Sequence, residues 1–245
     1  MWSITKKLIK KLIKKGITVV NSLSGIKNGA LIITAHGISP KIKERLSKIK
    51  ELNLVDTTCP KVLLVQNLAR HLFKEGRLVL IFGDSEHQEV KGIKGAVDDK
   101  ATVFHSEEGF KRIKIYPKAK YGLVVQTTRN FEEFEKLKEK IKERIKDIKI
   151  FNTICQATRQ RQSEIRKLAK DHDLILVVGS RTSANTNRLY EIGLKINPET
   201  HLISTSREIK KDWFKNKKSV GLTAGASTPD WLINQVVQKV EEIRD

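Results

Sequence analysis

An internal repeat is the feature that most constrains how this chain can fold. The stretch Asp56–Cys59 returns 96 residues later as Asn152–Cys155, and these contain the only two cysteines of the 245-residue sequence. Counting on from each cysteine, an apolar run ends in a glycine after 24 residues, at Gly83 and at Gly179. Matching spacing of this kind predicts a structural unit that occurs more than once.

The apolar runs Leu78–Phe82 and Leu174–Val178 predict equivalent buried strands. His87 and Ser183 follow them, each 28 residues after its cysteine, in loops that lead toward helices. Strands that alternate with helices form parallel sheets, whose functional loops gather at the carboxyl ends of the strands. We therefore predict an α/β fold with mainly parallel sheets.

The repeat divides the chain into three α/β units: 1–58, 59–154 and 155–245. The first is incomplete, with strands predicted at Ile17–Val20 and Ala30–Ile33 before the loop that carries His36. The spacing places its cysteine about 25 residues before Met1, and its loop residue near Ser3 and Ile4. We expect the chain as given to lack that cysteine.

Residues 4–15 predict a basic amphipathic helix, with Ile4, Leu8, Ile9, Leu12 and Ile13 on one face. Such a helix could lie on a membrane, but packing against the first sheet is favoured, because Gly16 stops the helix and a strand is predicted next. The sequence has no apolar run of membrane-spanning length and no apolar core of a secretory signal, so a cytoplasmic protein is expected.

The net charge of +20 raises the alternative of a basic nucleic-acid-binding module. The lysines are scattered among glutamates, as in Glu132–Glu143, and no basic motif with interleaved aromatics accompanies them. A solvated surface is the favoured interpretation. Replacing scattered lysines by glutamine would abolish nucleic-acid binding and leave an enzyme active.

Cys59 and Cys155 are too few for a disulfide framework, so a reducing cytoplasm would leave them as thiols or metal ligands. A single cysteine is more often a small buried apolar residue. Their equivalent places in two repeats favour ligands of one metal centre.

The polar residues of the loops suit an anionic substrate and proton transfer. His36, His87, Ser183, Asn185 and Ser227 offer donors at strand ends or helix starts, which predicts binding of a small phosphorylated molecule.

Glu89, two residues beyond His87, is either an exposed loop glutamate or an enclosed general acid. If it is enclosed, its pKa rises and Thr127 can relay the proton.

Seven ordered motifs that span essentially the whole chain resemble the 4-hydroxy-3-methylbut-2-enyl diphosphate reductase family. They are Ala35–Gly37, Thr58–Pro60, His87–Val90, Gln126–Thr128, Cys155–Thr158, Ser183–Arg188 and Ala224–Ser227.

This resemblance implies a trefoil of three α/β domains around a 4Fe-4S cluster held by three cysteines. The implied reaction is reductive dehydroxylation of an allylic diphosphate to isopentenyl and dimethylallyl diphosphates, the last step of the non-mevalonate isoprenoid pathway, with ferredoxin or flavodoxin as electron donor.

The resemblance also implies a role for each matching residue. Cys59 and Cys155 would be cluster ligands and Glu89 with Thr127 would deliver the proton. His36, His87, Ser183, Asn185 and Ser227 would hold the diphosphate.

Two departures from the family pattern carry expectations. Ala184 stands where the family usually has a second serine, and one lost neutral hydrogen bond costs about 1 kcal/mol, roughly a fivefold loss of affinity. The first cysteine motif and first active-site histidine of the family are absent, so we expect an inactive chain or a labile cluster. The alternative is a non-catalytic diphosphate-binding protein derived from the same fold.

Overall fold

The apolar runs of the sequence form the strands. The structure is a computed structural model that describes residues 12–20, 22–23 and 25–244. In chain order the strands are β1 Gly29–Ile33, β2 Leu52–Asp56, β3 Leu78–Phe82, β4 Thr102–Phe104, β5 Tyr121–Val125, β6 Ile148–Ile150, β7 Leu174–Val178, β8 Thr200–Ile203 and β9 Val220–Ala224.

Helices follow most strands, and polar residues or prolines begin several of them. They are α1 Pro40–Ser47, α2 Pro60–Lys74, α3 Gln88–Gly95, α4 Glu107–Lys111, α5 Phe131–Arg144, α6 Gln156–Asp171, α7 Ala184–Ile196 and α8 Asp230–Arg244, with 3₁₀ turns at Ser206–Glu208 and Lys211–Phe214. The side chains of Ser39, Asn130 and Ser183 accept backbone hydrogen bonds at the starts of α1, α5 and α7. These caps satisfy helix N–H groups that have no partner within the helix.

The strands pair in three sheets, with the orders β1-β2, β4-β3-β5-β6 and β8-β7-β9, and every pairing is parallel. The α/β class with parallel sheets is therefore confirmed. β3 pairs with β5, and β7 with β9, over five residues each, as equivalent elements of a repeat should.

Both faces of β3 and β7 are covered, which explains their uninterrupted apolar sequences. Leu80 and Phe82 of β3 pack in one core cluster with residues of α5, whereas Val79 and Ile81 pack in another with residues of α2 and α3. The same alternation occurs in β7, whose two faces contribute to a cluster with α6 and α7 and to a cluster with α8.

The two cysteine turns are built alike. The backbone N–H of Cys59 donates to the carbonyl of Ala35, and that of Cys155 donates to the carbonyl of Thr127, each at 3.0 Å. Before them, the side chains of Asp56 and Asn152 accept the backbone N–H two residues further on, at 2.9 Å and 3.2 Å. The hydrogen bonding thus reproduces the repeat seen in the sequence.

The chain divides into two compact units. The first unit is Ser24–Cys155, and the second comprises Gln156–Asp245 with the described part of Met1–Leu23. The first unit contains the sheets β1-β2 and β4-β3-β5-β6, and the second contains β8-β7-β9. The division into units 1–58, 59–154 and 155–245 stays a prediction.

The predicted strand Ile17–Val20 is wrong, because these residues form no strand and all four are exposed. Their apolar character favours a strand, but no neighbouring strand pairs with them among the described residues. Gly16, at φ +82°, ends the preceding helix as predicted: its N–H donates to Ile13 and that of Ile17 to Leu12. The predicted residues Ser3, Ile4, Leu8 and Ile9 lie outside the described part of the chain.

Two predicted helix bounds also need correction. The sequence after the His36 loop predicts a helix from Pro40 to Lys50, but α1 ends at Ser47. The sequence after Ser227 predicts a helix with Pro229 in its first turn, but α8 begins at Asp230. Across the residues that the structure describes, no helix combines the length and the apolar character needed to cross a bilayer.

Candidate functional site

His36 and His87 lie in contact within the compact unit Ser24–Cys155. Their ring centroids are 5.0 Å apart and the rings are nearly perpendicular. His87 caps α3, where its Nδ1 accepts the backbone N–H of Glu89 at 3.2 Å, so the proton of a neutral ring is on Nε2. Desolvation lowers the pKa of both imidazoles, and the neighbouring His36 lowers that of His87 further. Two neutral histidines at pH 7 can each offer one N–H donor to an anion.

Glu89 is enclosed, as a general acid requires, with 1% of its surface exposed. One carboxyl oxygen accepts the backbone N–H of Thr127 at 2.7 Å, and the other lies 2.8 Å from the hydroxyl of the same residue. Burial raises the pKa of Glu89, and the two hydrogen bonds from Thr127 oppose that rise. Of the two readings of Glu89, the exposed loop glutamate is excluded.

Glycines hold the His36 loop against the helix that carries Glu89. A Cβ atom at Gly92 would lie 2.7 Å from Nε2 of Gln66, and one at Gly95 would lie 2.4 Å from Cβ of Ser39. Gln66 is buried and donates to the carbonyl of Ile38 at 3.2 Å. Any larger residue on this face of α3 would push the two segments apart.

The two cysteines are free thiols that are partly exposed. Cys59 is the first cap of α2, where its side chain makes no capping hydrogen bond, and Cys155 immediately precedes α6. The thiolate form of cysteine is the form that binds metals. In type and setting both residues fit a thiolate-bound metal centre. Two cysteines alone do not complete such a metal centre, and no group of three metal-binding side chains occurs among the described residues.

In the compact unit that contains Gln156–Asp245, the first turn of α7 carries two buried polar side chains. Each has one atom with no hydrogen-bond partner within the described structure. They are Asn185, through Nδ2, and Thr186, through Oγ1, and they are 8% and 1% exposed. Ser183 begins this helix, and its Oγ accepts the N–H of Thr186 at 3.3 Å. Buried groups of this kind normally have a partner, so the arrangement is suited to a ligand with several acceptor oxygens.

Ser227 lies in an exposed turn that is fixed to the end of β7. The N–H of Gly225 and the hydroxyl of Thr228 both donate to the carbonyl of Val178, at 2.9 and 3.0 Å, and Thr228 N–H donates to the carbonyl of Gly225 at 2.9 Å. The hydroxyl of Thr186 fills the space beside Gly225, where an added Cβ would lie 2.1 Å away from it. This contact joins the Ser183 helix to the Ser227 turn.

If the Ser227 turn binds diphosphate as the sequence predicts, Gly225→Ala should weaken that binding about tenfold, because the methyl group would overlap Thr186 and displace the turn. Adding Thr186→Ala in the same chain removes the overlapping hydroxyl and should restore part of the lost affinity. Titration calorimetry with inorganic pyrophosphate measures the affinities of the single and the double variant. Equal affinities for Gly225→Ala and the unsubstituted chain would contradict a role of the Ser227 turn in diphosphate binding.

Sequence reasoning missed Thr186 and Gln66. Thr186 lies inside the motif Ser183–Arg188, and the glycines at 179 and 225 are a signal that a side chain approaches the backbone there. Gln66 gives no signal, because a glutamine within an amphipathic helix is indistinguishable from a surface residue.

Comparison with known proteins identifies the class. The model of the family described as LytB protein matches residues 5–241, so the chain belongs to the LytB family. It is 40% identical over 237 residues to the 4-hydroxy-3-methylbut-2-enyl diphosphate reductase of Pelobacter propionicus, covering 96% of this chain and 83% of that protein. The reductase of Nitratiruptor sp. is 36% identical over 233 residues, with 94% and 83% covered.

Two solved structures of diphosphate reductases also match this chain. The E-1-hydroxy-2-methyl-but-2-enyl-4-diphosphate reductase from Plasmodium falciparum matches with a TM-score of 0.88 at 29% identity, over 95% of this chain and 74% of that one. A structure of (E)-4-hydroxy-3-methyl-but-2-enyl diphosphate reductase matches with a TM-score of 0.66 at 36% identity, over 96% and 84%. The predicted family and the predicted enzyme class, an oxidoreductase, are therefore confirmed.

Proposed function

We propose that the chain reduces (E)-4-hydroxy-3-methylbut-2-enyl diphosphate to isopentenyl and dimethylallyl diphosphates, the last step of the non-mevalonate isoprenoid pathway. The observation that carries this proposal is the enclosed carboxyl of Glu89, hydrogen-bonded through both oxygens to Thr127, in a chain of the LytB family. The names of its relatives supply the substrate.

Proton delivery falls to Glu89 and Thr127. The reaction breaks the carbon–oxygen bond of the allylic alcohol, and two electrons and two protons give a carbon–hydrogen bond and water. A carboxyl with a raised pKa holds a proton that it can give to the leaving hydroxyl. The Thr127 hydroxyl, 2.8 Å from the carboxyl, accepts that proton and passes on its own.

The diphosphate is proposed to bind to neutral donors. Ser183 and Asn185 at the start of α7, and Ser227 in the turn after β9, offer hydroxyl and amide groups. His36 and His87 offer N–H groups from uncharged rings, whose lowered pKa keeps them neutral at pH 7. Neutral donors orient the diphosphate without holding the product as tightly as paired cations would.

Cys59 and Cys155 are proposed as ligands of a 4Fe-4S cluster, which when bound would supply the electrons received from ferredoxin or flavodoxin. Because the resemblance implies three cysteine ligands and this sequence has two cysteines, we expect the 245 residues alone to hold a labile cluster. The free thiols also favour the reducing cytoplasm as the site of action.

The test is anaerobic conversion of the allylic diphosphate by iron-reconstituted protein with a chemical reductant. We expect both products, at a rate that depends on the protein and on its iron. Saturable diphosphate binding by iron-loaded protein that forms neither product would replace this proposal by the non-catalytic alternative.

A further inference from the structure

A cavity in the second unit carries a surplus of positive charge that the proposed reaction does not use. Its volume is about 480 Å³, within the range of small-molecule sites, and its lining includes Arg181, Arg207, Glu208 and Lys210. Arg181 forms an ion pair with Glu208 at 2.7 Å. Arg207 and Lys210 have no ion-pair partner within the described residues, so two unpaired cations face this cavity.

The nearby charges do not neutralise these two cations. Glu199 lies 3.5 Å from Lys217, and Asp212 lies 2.8 Å from Lys215. Both carboxylates are therefore already paired with other lysines. A ligand that carries two or more negative charges would complete the charge balance of the cavity.

The rest of the lining is aromatic and apolar. His201 and Trp213 stack in parallel, with ring centroids 3.8 Å apart and planes inclined by 1°, and Tyr190 adds a third ring. Leu202 and Ile203, at the end of β8, complete the lining and are 9% and 0% exposed. Such walls accept a flat ring rather than a bare anion.

One buried polar atom of this lining also lacks a partner. Nε2 of His201 has no hydrogen bond in the described structure, and its one ion-pair contact, with the carboxylate of Glu199, is long at 3.7 Å. A base with ring nitrogens could satisfy it. We propose that this cavity binds a nucleotide, with the phosphates near Arg207 and Lys210 and the base against the aromatic wall.

The cavity shares a loop with the proposed diphosphate site. The carbonyl of Arg181 accepts Nδ2 of Asn187 at 2.8 Å, and Arg181 donates to the carbonyl of Leu202 at 2.9 Å. Ser183 lies two residues further along this loop. A bound nucleotide would change the affinity of the Ser183 loop for diphosphate, and this consequence alone rests on the proposed function.

The experiment is titration calorimetry of the full chain with ADP, pyrophosphate and adenosine. We expect saturable ADP binding, about tenfold weaker in Arg207→Gln and in Lys210→Gln and about 100-fold weaker in the double variant. The control Lys170→Gln/Lys195→Gln removes two exposed charges of the same unit outside the cavity and should bind ADP as the unsubstituted chain does.

Tyr190→Leu separates recognition of the ring from recognition of the phosphates. It should weaken ADP about tenfold and leave pyrophosphate unchanged. Trp213→Leu is a second variant for the same purpose if the first fails to fold. The proposal is overturned by absence of ADP binding up to about 5 mM, by equal weakening in the charge control, or by ADP that binds Tyr190→Leu and Trp213→Leu as tightly as the unsubstituted chain.

Discussion

Glu89→Gln is expected to lower reductase turnover by about 10²–10⁴-fold with little change in KM, because glutamine keeps the shape of the side chain and loses the proton. The amide can still accept from the backbone N–H of Thr127 and donate to its hydroxyl, so the substitution should not disturb folding. Anaerobic turnover of iron-loaded protein measures the effect. The matched control is Glu86→Gln, an exposed glutamate that forms an ion pair with Lys91, and its turnover should remain within about twofold.

The same substitution should also change how the free energy of unfolding depends on pH, and this effect can be measured without a bound cluster. Since burial raises the pKa of Glu89 in the folded state, its contribution to stability is fully present below the unfolded-state pKa and is lost as pH rises through the raised value. The free energy of unfolding of the unsubstituted chain should therefore decline over that window, by at most about 1.4 kcal/mol per pH unit for one proton. In Glu89→Gln this decline should be absent. Parallel pH profiles in urea denaturation would show that Glu89 is not the enclosed acid.

Asn185→Asp is expected to weaken diphosphate binding at least 100-fold, on the order of 3 kcal/mol. The substitution replaces a buried amide donor, which has no partner in the described structure, by a buried negative charge. It should also lower the free energy of unfolding by about 2–4 kcal/mol, because an unpaired buried charge is costly. Pyrophosphate calorimetry and urea denaturation measure the two effects separately.

A matched control adds the same charge elsewhere in the second unit. Asn216 is exposed in a turn at φ +60°, a conformation that aspartate tolerates, so Asn216→Asp should change neither quantity appreciably. If Asn185→Asp binds pyrophosphate within about threefold of the unsubstituted chain, Asn185 does not contact the diphosphate.

The strands were predictable where burial on both faces makes a continuous apolar run. β3 and β7 have the bounds that the sequence predicts, because each run is closed by glycine or polar residues. Ile17–Val20 has the same local character and forms no strand. Pairing depends on a neighbour that local sequence does not reveal.

The sequence predicted which loops carry the candidate site residues, but it did not predict which atoms those residues contact. The repeat placed His87 and Ser183 after their strands, yet only the fold shows that both cap helices, His87 through Nδ1 and Ser183 through its hydroxyl. Thr186 was missed for the same reason. Its importance comes from the space between two glycines that are distant in sequence.

The most direct test of the iron–sulfur proposal is the iron and acid-labile sulfide bound per chain after anaerobic reconstitution, measured for the unsubstituted chain and for Cys59→Ala and Cys155→Ala. We predict iron and sulfide in the unsubstituted chain that are readily removed by a chelator, and loss of both in either variant. Iron content that is the same in all three proteins, or absent from all three, would contradict the assignment of these two cysteines as cluster ligands.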